Sequence, residues 1–159
     1  MGQRFLLFIF FILMIINSIV AQDVVTDSLE KRLKQVNKAE KPALMNQLAK
    51  AYLSVDLQKS KQLSLEVISL IPDDNEEKAL AFHQLGIAYY FEGIPAEAVN
   101  SYNKSVEINK KLNNILQLSK TYNNLGIIFN ETGDNTKALE YFQLSLGMSR
   151  QLSDSSGVA

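Results

Sequence analysis

The chain's single histidine, His83, is the first residue whose type asks for chemistry, because an imidazole titrates near neutrality and serves as general base or metal ligand. A base needs a partner and a cleft, and a zinc site needs further His or Cys ligands. The chain has no cysteine and no second histidine, so His83 reads as a surface or groove histidine. The acidic cluster Asp73, Asp74, Glu76 and Glu77 is the other candidate, since paired carboxylates perform general acid and base work. It follows Pro72 and precedes a helical pattern, where carboxylates complement exposed N–H groups. Asp74 and Glu77, three apart, fit a capping box. No glycine arrangement matches a phosphate-cradling loop. Asn103-Lys104-Ser105 and Asn130-Glu131-Thr132 match the glycosylation pattern but fall in or beside helical stretches. The expectation is therefore a non-enzyme with no catalytic, cofactor-binding or metal-ligating residues; a hydrolytic enzyme is the distant alternative.

The elements that would position such residues are helical. A chain of 159 residues suits one domain, and 16 basic against 17 acidic side chains give no field that would attract nucleic acid. Without cysteine there are no disulfides, thiol nucleophiles or iron–sulfur clusters. Three prolines and seven glycines exclude a collagenous chain and argue against a loop-rich one.

The amino end differs from the rest. Residues 5–16 are apolar without a break, Arg4 precedes them, and Asn17 to Ala21 lead into Gln22 and Asp23. This order fits a secretory signal over 1–21, cleaved after Ala21. The alternative is an N-terminal membrane anchor over 5–21, since a spanning helix needs about 20 apolar residues. Either reading puts the body outside the cytoplasm, periplasmic or secreted, and leaves the membrane in contact only with an uncleaved N-terminal segment.

The body repeats itself at an interval of 40, as in Gly86 and Gly126, Gly93 and Gly133, Ala98 and Ala138, and Ser105 and Ser145. Phe82, Tyr89 and Tyr102 meet aromatic counterparts in Tyr122, Phe129 and Phe142. Each unit reads as a helical hairpin. Gly86 admits a close neighbour, Gly93 ends the first helix, Pro95 starts the second, and Ala98 and Tyr102 lie on the stripe that packs back. A weaker unit with Met45, Leu48, Ala49 and Tyr52 precedes these, continuing through Ser60 and Val67 after a turn one residue shorter and stopping at Pro72. Ser28 to Val36, with Leu29 and Leu33 on one face, would cover the start of the stack.

These residues resemble the tetratricopeptide repeat, with its pattern W-x₂-L-G-x₂-Y…A-x₃-F…P. Here it stands as Phe82-x₂-Leu85-Gly86-x₂-Tyr89…Ala98-x₃-Tyr102 and Tyr122-x₂-Leu125-Gly126-x₂-Phe129…Ala138-x₃-Phe142. The 40-residue period exceeds the common 34. Lys110 and Arg150 replace the closing proline, so the second helices can run further, as in the longer repeats of kinesin light chain and bacterial sensor-kinase-associated regions. The resemblance implies an all-α, right-handed helical solenoid of antiparallel helix pairs. Its parts would be a capping segment at 22–39, a degenerate repeat at 40–72, repeats at 79–112 and 119–152, and at 153–159 a tail or the start of a further repeat.

The resemblance also implies a use. First helices of such repeats line a concave groove that takes a protein or peptide. The family's groove positions fall on Asn46, Gln47 and Lys50; on His83, Gln84, Ile87 and Tyr90; and on Lys120, Asn123, Asn124, Ile127 and Asn130. Amides there can donate to and accept from a peptide backbone. The chaperone-binding carboxylate clamp of the family is not expected, because Asn124 and Gln84 stand where its residues should be. The expected function is a protein-binding scaffold, with the sensing end of a longer membrane-linked signalling protein as the alternative.

Overall fold

The computed structural model describes residues 24–156, with side chains to 153. The signal or anchor expected over 1–21 lies outside the described residues, as does the end of the 153–159 tail. The described backbone is helical from end to end: α1 (24–33), α2 (Lys41–Tyr52), α3 (Leu57–Leu70), α4 (Glu76–Phe91), α5 (Pro95–Lys111), α6 (Ile115–Glu131) and α7 (Asn135–Ser156). The N-terminal helix, expected over Ser28 to Val36, is already formed at 24 and ends at 33, leaving Val36 in the following turn. No helix among the described residues is long and apolar enough to cross a membrane.

Four of the helices begin where a short side chain can accept the first free N–H groups. Asp56, Asn75, Asn114 and Asp134 accept from the backbone N–H of Lys59, Lys78, Gln117 and Lys137. The expected box of Asp74 with Glu77 therefore does not form, and the cap stands one residue later. Asn75 is the cap of α4, and Asp74 is left to pair with Lys111 at 2.8 Å, tying that turn to the end of α5. Pro95 opens α5, where its missing N–H costs no bond.

The first helices of the two strong repeats end alike. Gly93 and Gly133 have φ of +74° and +85°. That left-handed turn lets Ile94 N–H reach Tyr89 O at 2.9 Å and Asp134 N–H reach Phe129 O at 2.8 Å. Asn113, at φ 53°, performs the same turn after α5, with Asn114 N–H on Asn109 O at 3.0 Å. Asparagine tolerates this conformation better than other residues with a side chain. The weak first unit has no such glycine; Val55 and Asp56 instead fold their N–H groups back onto Tyr52 O.

Packing is local along the chain. Helix pairs α2–α3, α4–α5 and α6–α7 stack in order, α3 touches α4, α5 touches α6, and the first helices α2, α4 and α6 touch in turn. Such quasi-one-dimensional packing is that of a solenoid. Because α4 meets α2, α3, α5 and α6, it is buried nearly all round, at Ala79, Ala81, His83 to Gly86 and Ala88. Within the second and third pairs glycine packs directly against a ring: a Cβ on Gly86 would lie 2.6 Å from the Tyr102 ring, and one on Gly126 2.6 Å from the Phe142 ring. In the first pair Ala49 holds the glycine position, and Ser60, in the place of Ala98, donates its hydroxyl to Ala49 O at 2.8 Å. Between the second and third pairs Ala98, Tyr102 and Val106 form one apolar cluster with Leu118, Tyr122, Leu125 and Ile128.

Candidate functional site

The successive first helices α2, α4 and α6 carry every residue expected to line the groove, but they treat those residues in two ways. One position faces the next first helix. Asn46 on α2 is 1% exposed and donates its amide to Glu77 O at 2.9 Å and Glu77 Oε2 at 2.6 Å on α4. His83 on α4, 7% exposed, meets Thr121 Oγ1 on α6 at 2.9 Å. The Thr121 hydroxyl gives its one proton to Gln117 O, so His83 Nδ1 is the donor in that contact. Asn123 holds the equivalent place on α6 and is exposed. His83 is thus neither a surface nor a groove histidine. It is a link between repeats, packed beside the Tyr102 ring at 5.5 Å. Burial, with the charge of Lys120 adding to it, lowers its pKa to about 4 and keeps the ring neutral at pH 7.

Gln84, expected on the groove surface, is also buried at 2% exposed because neighbouring helices close around α4, and the other positions face outward. Gln47, Lys50, Lys120 and Asn130 are exposed, and Ile87, Tyr90, Asn124 and Ile127 are half-buried. Most of them fall into two depressions that cross the first helices. One, about 370 Å³, is polar and spans all three: Asn46, Gln47 and Lys50 from the later half of α2; Glu76, Glu77, Leu80 and Gln84 from the first half of α4; and Gln117 and Lys120 from the start of α6 with its cap Asn114. The other, about 260 Å³, lies between the later turns of α4 and α6 and is apolar, with Ile87, Tyr90, Phe91 and Ile127 around Tyr102 and Asn124. Its floor is fixed, because the Asn124 amide donates to the Tyr102 hydroxyl at 3.2 Å. Burial pushes that phenol above its ordinary range, so it stays protonated. Tyr90 bridges the two helices at the mouth, donating to Glu131 Oε1 at 2.8 Å.

Seven lining residues were not expected in the groove from the sequence: Glu76, Glu77, Leu80, Phe91, Tyr102, Asn114 and Gln117. Leu80 and Phe91 lie on the same helical face as Gln84 and Ile87, so periodicity could have found them. Asn114 and Gln117 come into place only because α4 and α6 lie side by side. The acidic cluster is divided between these roles. Glu76 and Glu77 face the polar depression, while Asp74 pairs with Lys111. Among the described residues no group of three or more His, Asp or Glu side chains is arranged to hold a metal ion.

The tetratricopeptide repeat family matches residues 79–112 and 119–152. Among curated proteins, the chain is 30% identical over 89 residues to the Photosystem I assembly protein Ycf3 of Acaryochloris marina (strain MBIC 11017), across 54% of this chain and 51% of that protein. It is 28% identical over 87 residues to the Photosystem I assembly protein Ycf3 of Cyanophora paradoxa, across 54% and 49%. The chain spans about half the length of these relatives. The crystal structure of MamA superposes on 86% of this chain and 74% of its own with a TM-score of 0.65 and 20% identity, a likeness of fold. With the stacked hairpins and the glycine–ring contacts, residues 79–112 and 119–152 of this chain are two tetratricopeptide repeats.

Proposed function

We propose that this protein is an exported, non-enzymatic scaffold that holds a protein or peptide segment against the outward faces of α2, α4 and α6. The observation that carries the reading is the pair of adjoining depressions across these helices, one polar and one apolar. Such a surface offers hydrogen bonds and an apolar anchor point to an extended chain. Its one imidazole is committed to packing between repeats and has no carboxylate hydrogen-bonded to it, which argues for binding over hydrolysis. The unbroken apolar run at 5–16 behind Arg4 supports export or membrane anchoring of the body.

The test is capture of partners from extract of the source cells by the full chain and by two variants. Asn123→Ala with Ile127→Ser alters the proposed surface, and Lys104→Ala with Glu107→Ala alters an exposed ion pair on α5. Capture should fall for the first variant and not the second, with helical circular dichroism unchanged in both. Equal capture by both variants would refute the surface assignment.

A further inference from the structure

The polar depression contains two buried acceptors without a donor among the described residues. Asn46 Oδ1 and Gln84 Oε1 are shielded from solvent and accept no hydrogen bond, and their residues are 1% and 2% exposed. Buried amide oxygens are normally paired, and leaving one unpaired carries a cost that an incoming donor removes. Asn46 cannot turn its amide around without loss, because its nitrogen serves both Glu77 O and Glu77 Oε2. The Gln84 oxygen is tied to no donor among the described residues, so no hydrogen bond to it opposes a turn of its terminal amide in the depression that Gln84 lines. Around them Lys50 and Lys120 are matched by Glu76 and Glu77, so the lining carries no net charge. Balanced charge gives a carboxylate, phosphate or ammonium no preference, whereas a neutral amide can donate to the Gln84 oxygen and accept from the lysines.

The apolar depression begins one turn further along the same helices, at Ile87 on α4 and Ile127 on α6. Gln84 and the stretch from Ile87 to Phe91 are separated by roughly 5–10 Å at 1.5 Å rise per residue. An extended peptide advances about 3.3 Å per residue, so two or three residues span that distance.

We propose that the two depressions form one bipartite site for an extended peptide carrying a bulky aliphatic or aromatic side chain two or three residues from an asparagine or glutamine. The apolar side chain enters between Ile87 and Ile127 above the Tyr102 hydroxyl. The side-chain amide donates to Gln84 Oε1 and accepts from Lys50 or Lys120. This rests on the peptide-binding reading above and adds the ligand's chemistry. Because the lining is neutral, the affinity is insensitive to salt, unlike that of a carboxylate clamp.

The probe is a phage-displayed library of random peptides selected on the full chain, followed by a synthetic consensus peptide with both termini blocked. The selected sequences should pair a Leu, Ile, Met or Phe with an Asn or Gln at the stated spacing. The consensus peptide should bind within twofold at about 50 and 500 mM salt. Gln84→Leu in the protein, or the amide residue changed to Glu in the peptide, should each weaken binding roughly tenfold, and Ile127→Asp should abolish it. Peptides that bind but are indifferent to Gln84→Leu, or that lose affinity in high salt, would overturn this inference and leave the groove standing. A selection in which no peptide is lost with Ile127→Asp would overturn both.

Discussion

Gly86→Ala and Gly126→Ala make the same chemical change against the same distance, and the structure predicts different outcomes. In each, the new Cβ would lie 2.6 Å from a ring carbon, well inside contact distance, so the ring must move. Opposite Gly86 that ring is Tyr102, 1% exposed, held by the Asn124 amide at its hydroxyl and packed beside His83. Overpacking such a core costs about 1–3 kcal/mol, and losing the hydroxyl bond about 1 kcal/mol more. Replacing glycine in a helix returns about 1 kcal/mol, leaving a net destabilisation of about 1–3 kcal/mol. Opposite Gly126 the ring is Phe142, half-buried, without a hydroxyl, and on the last described helix, so it can shift outward. There the propensity gain offsets most of the clash, and the net change should lie within about 1 kcal/mol of zero. Urea unfolding followed by circular dichroism at fixed slope reads the difference directly. Equal loss in the two variants, or a stabilised Gly86→Ala, would refute the argument that the Tyr102 ring is pinned.

Other outcomes follow from single contacts. Gly147 lies in α7, where a side chain would meet nothing within 4 Å and the backbone φ is not left-handed, so Gly147→Ala should raise stability by about 1 kcal/mol, read by the same unfolding midpoint. Asn75→Ala removes the α4 cap and should cost about 1 kcal/mol, with Asn75→Asp retaining most of it. His83 is neutral in the fold with its pKa lowered to about 4, against 6.5 unperturbed. Between those values the unfolded chain binds the proton and the folded chain does not, so stability falls as pH drops from 6.5 toward 4. The loss attributable to this group approaches roughly 3 kcal/mol at about pH 4. His83→Gln can still meet Thr121 but does not titrate, and unfolding midpoints of this variant should lack that part of the slope; an unchanged slope would sink the assignment.

The repeat was legible in the chain because its determinants are local. Glycine at 86, 93, 126 and 133, alanine at 98 and 138, and the aromatics between them are each demanded by a turn or a close contact within one hairpin. A helical face with period 3.6 follows from the order of side chains alone. The same reasoning placed Gln47, Lys50, Ile87, Tyr90 and Ile127 on outward faces. It misplaced the capping residue of α4 by one, because Asp74 and Asn75 are equally able caps and the choice turned on the Lys111 side chain 37 residues away from Asp74.

What tertiary structure alone decided was the fate of residues that reach from one first helix to the next. Asn46, His83 and Asn123 occupy matching places in three units. Two are buried against Glu77 and Thr121, and the third is exposed, with no further first helix beside it among the described residues. No local pattern distinguishes them, because the partner of each lies most of a repeat along the chain. The unpaired oxygens of Asn46 and Gln84 belong to the same class. A hydrogen-bond acceptor becomes an orphan only when neighbouring helices close around it, and that depends on how α2, α4 and α6 pack.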